Sequence, residues 1–281
     1  MAPRAQPARI RYIAGMTTSP AIPADWIQPQ WPAPQGVRAL FTTRAGGVSQ
    51  PPFDSCNLGD HVQDDPAAVA LNRDLLARAG DMHPVFLQQV HGCEALLLDA
   101  ASADGQVADA CFSAVPGVGC TVMVADCLPV LFSHRNVPLV GAAHAGWRGL
   151  AGSGGSGVLE ALLQAMNTQL QHRHPGADPD WLAWLGPCIG QAAFEVGGEV
   201  RDAFVAHDAS SAQLFMPGVR EGKWHADLAG LARRRLMVQG VQVHGNDGSA
   251  AWCTFSQPGR YYSYRRAPRT GRMAAAVWLA G

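Results

Sequence analysis

The residues of this sequence best suited to chemistry are two histidines and one cysteine, each in a distinctive local context. His91 lies in Gln-Gln-Val-His-Gly, Cys127 in Ala-Asp-Cys-Leu-Pro, and His144 opens His-Ala-Gly-Trp-Arg-Gly. Two imidazoles and one thiolate suit zinc or copper, and three protein ligands leave a coordination position free for water or substrate. The sequence therefore predicts a metal-dependent enzyme.

Spacing alone supports this metal site only weakly, because the three residues are far apart in the chain. A buried cysteine is usually a small hydrophobic residue, and a lone histidine is usually structural. Asp126, next to Cys127, has several open roles. It could orient a histidine or act as a general base on water, and it could equally be a turn residue ahead of Pro129.

Other polar residues are candidates for binding substrate. Arg44 lies in a glycine-flanked turn and Arg148 follows His144. Guanidinium groups suit phosphate or carboxylate because they form two parallel hydrogen bonds. The alternative is that both are surface arginines beside turns. Gln88 and Asn57 complete this candidate set together with Arg266, which ends a tyrosine- and arginine-rich run that could stack on a base or pack as a strand.

Composition limits the classes of function. Hydrophobic residues make up 48% and charged residues 15% of the 281 positions, which is typical of a globular protein. A net charge of −1 gives no reason to expect nucleic acid or an anionic membrane as partner. No apolar stretch is long enough to span a bilayer. Seven scattered cysteines do not form a disulfide pattern, which favours a reducing, cytoplasmic location.

Alternating strands and helices must position these residues. Apolar runs predict strands over 37–43, 85–90, 118–124, 128–132, 137–143, 181–185 and 273–279. Helical spacing and capping residues predict helices over 66–80, 154–170, 196–206 and 227–238. His91 and His144 would then follow strands, and Cys127 would lie in a turn between strands. The pattern predicts one mixed α/β domain over 17–281, preceded by a disordered extension over 1–16; it does not indicate an oligomeric state.

A series of motifs in fixed order resembles the YfiH family, also called the laccase-domain, multicopper polyphenol oxidase or FAMIN-like family. The resemblance covers about residues 17–281, with motifs at 41–49, 57–59, 88–92, 125–130, 144–149, 186–190, 262–266 and 270–273.

The resemblance implies that His91, Cys127 and His144 bind a metal, usually zinc, with copper as an alternative. It implies an α/β sandwich like the catalytic domain of cytotoxic necrotising factor. It also implies phosphorolysis of adenosine, inosine and methylthioadenosine, and deamination of adenosine. Zinc would activate water for deamination, with Asp126 as a proton shuttle. In phosphorolysis, arginines such as Arg44, Arg148 and Arg266 would hold the phosphate.

Other functions stay open. Copper-dependent oxidation of phenols is disfavoured because the ten histidines are dispersed, and only His172 and His174 are close. Copper in the same site could still give weak oxidation. A peptidoglycan-editing hydrolase would use activated water, or Cys127 as a nucleophile rather than only a ligand. A non-catalytic protein with a structural metal would need a fourth ligand, which the sequence does not offer.

Overall fold

The fold is built around two β-sheets packed face to face, seen in a computed structural model that describes residues 21–281. The predicted extension over 1–16 lies outside the described residues. The helices α1 to α5 are, in order, Pro66–Gly80, Trp147–Ala151, Val158–Arg173, Gly198–Val205 and Leu228–Val238. The strands β1 to β13 are, in order, Val37–Phe41, His83–Phe86, Ala95–Leu97, Ala110–Ser113, Val118–Val124, Leu128–His134, Val140–Ala145, Trp181–Leu185, Glu195–Gly197, Phe215–Pro217, Lys223–Ala226, Gln242–Gly245 and Met273–Leu279.

The smaller of the two packed sheets has four strands in the order β1-β13-β5-β2, and the larger has six in the order β12-β8-β6-β7-β4-β3. Between them lies an apolar core that includes Val122 and Val124 from β5 and Val140 from β7. On the outer side of the smaller sheet, Met123 packs in a second cluster with Leu76 of α1. The strand β5 is buried on both faces, which explains its continuous apolar sequence.

The outer face of the larger sheet is covered by helices. Leu159, Leu162 and Met166 of α3 and Leu231 of α5 belong to a third apolar cluster on that side. A separate three-stranded sheet, β10-β11-β9, adds to the same cluster. The mixed α/β fold class is confirmed. Among the helices of residues 21–281, none combines the length and the hydropathy that a bilayer span requires.

The helix α1 agrees with its predicted bounds because local signals determine both ends. The carboxylate of Asp65 accepts a hydrogen bond from the backbone N–H of Ala67, and Pro66 occupies the first turn. The helix ends at Gly80, followed by Asp81 in the left-handed region at φ 46°. The strands β5, β8 and β13 also match their predicted bounds.

Three predicted elements near the site were wrong in their bounds. The strand predicted over 85–90 is β2, which ends at Phe86, so a loop separates it from His91. The strand predicted over 137–143 is β7, which contains His144 instead of preceding it. The helix predicted over 154–170 is α3, which starts only at Val158 because Gly152, Gly154 and Gly155 have positive φ and form a turn.

Candidate metal centre

The three predicted ligands lie together where the chain passes from one packed sheet to the other. Cys127 is in the short connection between β5 of the smaller sheet and β6 of the larger one. His144 is in β7, paired with Pro129 of β6. His91 is in the loop after β2, at the edge of the smaller sheet. Neighbouring strand ends thus bring together residues that are distant in the sequence.

The spacing of these side chains fits a metal ion. His91 Nε2 and Cys127 Sγ are 3.7 Å apart, and the ligand atoms of all three residues lie within 4.8 Å of one another. A tetrahedral zinc ion places a sulfur and a nitrogen ligand about 3.6 Å apart. His144 is buried, Cys127 is partly exposed and His91 is exposed, so the cluster is open on one side. It is the only such group of three or more histidine, cysteine or acidic residues in the described chain.

One buried carboxylate, Asp109, holds both histidines. Its Oδ1 lies 2.7 Å from His144 Nδ1, and its two oxygens accept hydrogen bonds from the backbone N–H groups of Val90, His91 and Gly92. Burial raises the pKa of Asp109, but the hydrogen bonds and charge of His144 and the backbone N–H groups outweigh it and lower the pKa overall. The bond at Nδ1 leaves His144 Nε2 for a metal.

Sequence reasoning missed Asp109. The only local signal is an acidic residue directly before a buried strand, and its partners come from two other segments. The histidine-orienting role considered for Asp126 is thus filled by Asp109. Asp126 instead accepts hydrogen bonds from Thr254 Oγ1 at 2.6 Å and from the backbone N–H of Arg265 at 2.7 Å. Both carboxylate oxygens tie the Cys127 loop to the segment that precedes β13.

The electrostatics of the cluster favour a thiolate. Burial raises the pKa of Cys127, but the charges and hydrogen bonds of His144 and His91 outweigh it and lower the pKa to about 6. Burial lowers the pKa of His144, but Cys127 and Asp109 outweigh it and raise the pKa to about 9. The thiolate is the form of cysteine that binds a metal. A bound metal cation would replace the proton of His144 as the positive charge that stabilises the Cys127 thiolate.

Gly146 provides the space in which the ligands meet. A Cβ atom at this position would lie 2.7 Å from His91 Cδ2 and 3.0 Å from Cys127 Sγ. Three residues later, a Cβ atom at Gly149 would lie 2.8 Å from the carbonyl oxygen of Gly92. Both glycines of the His-Ala-Gly-Trp-Arg-Gly motif are therefore required by close approach of α2 to the His91 loop.

Two non-glycine residues of the site have left-handed backbone conformations. His91 has φ 62° and Asp126 has φ 99°. Such conformations cost roughly 1–3 kcal/mol and persist where surrounding contacts hold them. Asp109 supplies those contacts at His91, and Thr254 and Arg265 supply them at Asp126.

The guanidinium groups of Arg44 and Arg266 contact protein atoms. Arg44 donates to the carbonyl oxygens of Asp54 and Pro258 and forms a 3.0 Å ion pair with the Asp54 carboxylate. Arg266 donates from Nη1 to the carbonyl oxygens of Thr254 and Phe255, and from Nη2 to that of Tyr261. These bonds fix loops around the site.

The other predicted substrate-binding residues divide into buried and exposed ones. Asn57 is buried; its amide donates to Asp64 and accepts from the backbone N–H groups of Gly59 and Arg272. Gln88 is exposed beside the His91 loop. Arg148 is exposed, with its guanidinium carbon 4.5 Å from the ring centroid of Trp147. Of the predicted arginines, Arg148 has the side chain most free to meet a ligand.

Comparison with known proteins places this chain in a defined family. Residues 38–280 match the family described as multi-copper polyphenol oxidoreductase laccase. The chain is 52% identical to a purine nucleoside phosphorylase of Pseudomonas aeruginosa and 48% identical to the purine nucleoside phosphorylase YfiH of Escherichia coli. Each match covers 90% of this chain and 98% of the relative.

Solved structures agree with this assignment. A crystal structure of a Neisseria meningitidis protein matches with a TM-score of 0.82 at 42% identity, covering 92% of this chain and all of that one. The structure of YfiH from Bacillus licheniformis matches with a TM-score of 0.75 at 29% identity, covering 86% of this chain and 92% of that one. Sequence, fold and the histidine–cysteine cluster together show that the chain belongs to the YfiH family, whose family description is multi-copper polyphenol oxidoreductase laccase.

Proposed function

We propose that this protein is a zinc-dependent enzyme that cleaves adenosine, inosine and methylthioadenosine by phosphorolysis and also deaminates adenosine. The observation that carries the proposal is the open cluster of His91, Cys127 and His144. It occurs in a chain that is 52% identical to a relative named a purine nucleoside phosphorylase, over 98% of the length of that relative.

The protein's own residues fit this chemistry. His91, Cys127 and His144 would hold the zinc ion, and Asp109 fixes the ring of His144. When bound, zinc would supply a Lewis acid that makes water a stronger nucleophile and stabilises negative charge. Asp126 fits a positioning role, because both of its carboxylate oxygens already accept hydrogen bonds.

Phosphorolysis also needs a cation for phosphate. A phosphate oxygen forms a bond to C1′ of the ribose while the bond from C1′ to the purine nitrogen breaks. The electron pair leaves with the purine, which then takes up a proton. Because Arg44 and Arg266 are bonded to protein atoms, the phosphate requires a guanidinium with free donors, and Arg148 is one.

The test is anaerobic turnover of adenosine and inosine by zinc-loaded protein, with and without phosphate, followed by chromatography of the products. Phosphate-dependent release of adenine or hypoxanthine, lost in His91→Ala, is the expected result. Formation of inosine from adenosine without phosphate establishes the deaminase activity.

Two further assays separate the alternatives. Absence of nucleoside turnover by fully loaded protein overturns the proposal and directs attention to peptidoglycan precursors as substrates. Copper-loaded protein tested with a phenol under air measures oxidation in the same site, and turnover there that exceeds nucleoside turnover would favour the oxidase.

A further inference from the structure

We propose that Arg272 binds the phosphate co-substrate beside the metal centre. This inference rests on the phosphorolysis proposed above and names a second guanidinium, besides that of Arg148, that recognises its anionic reactant. Arg272 lies in the motif over 270–273, to which the sequence alone assigns no role.

The sheet register places Arg272 next to the loop of Cys127. In the antiparallel pair of β13 and β5, Met273 lies opposite Val124. Arg272, one residue earlier, is therefore level with Ala125, two residues before Cys127. Burial lowers the pKa of Arg272, and the negative charges of Cys127 and Asp126 act against that effect, as expected for close neighbours.

The backbone and the aliphatic part of Arg272 are held by the loop after β1. Its backbone N–H donates to Asn57 Oδ1 at 2.8 Å, and its carbonyl oxygen accepts from the N–H of Leu58 at 3.0 Å. The aliphatic part crosses Gly59, where an added Cβ atom would lie 2.7 Å from Arg272 Cγ. The guanidinium carbon is 6.0 Å from the ring centroid of Tyr264. Buried Asn57 thus has a defined task, which is to position Arg272.

Two nitrogen atoms of the Arg272 guanidinium donate no hydrogen bond to the described part of the protein. Its Nη1 donates to the carbonyl oxygens of Thr270 and Gly271, whereas Nε and Nη2 have no hydrogen-bond partner within residues 21–281. No carboxylate of that part of the chain forms an ion pair with it. By contrast, the part-buried Arg44 and Arg235 each pair with an acidic side chain.

Arg272 is half-buried and no carboxylate of the described residues forms an ion pair with its guanidinium, so an anion that docks against its unpaired nitrogens is stabilised by a charge-assisted contact. The planar guanidinium binds two oxygens of phosphate at once. Because Arg272 lies beside the Cys127 loop, a phosphate held there would be close to both the metal centre and the exposed ring of Tyr264. Phosphate and nucleoside could then meet at one site.

The experiment compares zinc-loaded wild type with Arg272→Gln and Arg272→Lys. It measures KM for phosphate with inosine saturating, and phosphate binding without nucleoside by calorimetry at constant ionic strength. Arg272→Gln is expected to raise the KM and the Kd for phosphate by about tenfold or more, because a charge-assisted pair is lost. Arg272→Lys keeps the positive charge but lacks the planar guanidinium that binds two oxygens at once, so the KM and Kd for phosphate should increase less. Arg269→Gln, an exposed arginine on the same segment that stacks over Phe53, is the matched control and should behave as wild type.

Gly59→Ala tests the positioning directly, because it retains the arginine and displaces its side chain. It should raise the KM for phosphate while zinc content and the KM for inosine stay within about twofold. A phosphate KM and Kd of wild-type magnitude in folded, zinc-loaded Arg272→Gln would overturn the inference. If wild type binds phosphate through Arg272 but cleaves no nucleoside, the phosphorylase proposal fails and the anion site stands.

Discussion

The carboxylate of Asp109 joins the two histidines of the proposed metal centre: its Oδ1 lies 2.7 Å from His144 Nδ1 and 2.9 Å from the backbone nitrogen of His91. A single buried side chain therefore sets the ring orientation of one ligand and the backbone conformation of the other. The geometry of the proposed metal centre therefore depends on a residue that would not touch the metal.

Replacement of Asp109 by asparagine should weaken zinc binding by about 10- to 100-fold, the usual effect of removing a carboxylate behind a histidine ligand. The amide cannot accept hydrogen bonds from His144 and three backbone N–H groups as the carboxylate does. Competition with a chromophoric chelator measures the zinc Kd. Asp74→Asn, on the exposed face of α1, is the control, and equal affinity of Asp109→Asn and Asp74→Asn would refute the assignment.

Gly146→Ala should abolish tight zinc binding while the fold stays intact. The new methyl group would overlap His91 Cδ2 at 2.7 Å and crowd Cys127 Sγ, whereas the backbone of Gly146, at φ −67°, accepts alanine without strain. Zinc content by mass spectrometry and thermal unfolding of the metal-free protein test the two halves of this expectation. Gly36→Ala is the matched control, because a Cβ atom at Gly36 meets no other atom within 4 Å. This variant should retain full zinc content.

Cys127 should be the first cysteine alkylated by iodoacetamide in the metal-free protein at pH 7. With a pKa of about 6 it is mostly thiolate at that pH, whereas burial raises the pKa of Cys56, Cys120 and Cys188. Because the pKa is lowered, labelling should decline as the pH falls below 6. Peptide mapping identifies the labelled residue. Zinc should protect Cys127, and equal labelling with and without zinc would contradict its role as a ligand.

Arg44→Gln should lower the free energy of unfolding by about 1–3 kcal/mol and leave the KM for phosphate within about twofold of wild type. The reason is that its guanidinium donates to the carbonyl oxygens of Asp54 and Pro258 and pairs with the Asp54 carboxylate. Urea denaturation measures the first effect and steady-state kinetics the second. Arg38→Gln, an exposed arginine of β1, controls for loss of charge. A large rise in phosphate KM for Arg44→Gln would restore the phosphate-binding role that the glycine-flanked turn indicated.

The sequence predicted those features that local signals determine. A capping aspartate, a proline and a terminal glycine define α1, and a doubly buried apolar run defines β13. The run over 85–90, Val-Phe-Leu-Gln-Gln-Val, also looked like a strand. The backbone there leaves β5 after Phe86. Gln88 pairs instead with Gln106 and Ala108, and the N–H groups of Val90 and Gly92 then bond to Asp109, contacts that no local pattern encodes.

For the candidate site too, local sequence patterns predicted residue types but not contacts between distant segments. Distinctive ligand chemistry and motif context were enough to select His91, Cys127 and His144, which the structure brings together. The arginines were harder, since a glycine-flanked turn does not reveal that the carbonyl of Pro258 will engage Arg44. Arg272 has no local mark of function, and its place beside Cys127 follows only from the pairing of β13 with β5.

The proposed ligand set is divided between the two packed sheets, with His91 after β2 of one and His144 in β7 of the other. A metal bound there would act as a cross-link between layers, so its binding free energy is linked to their docking. By reciprocity, a cavity opened between the layers, as by Val122→Ala, weakens metal binding from a distance. Metal occupancy in such distant core variants would thus report how closely the two layers are held together.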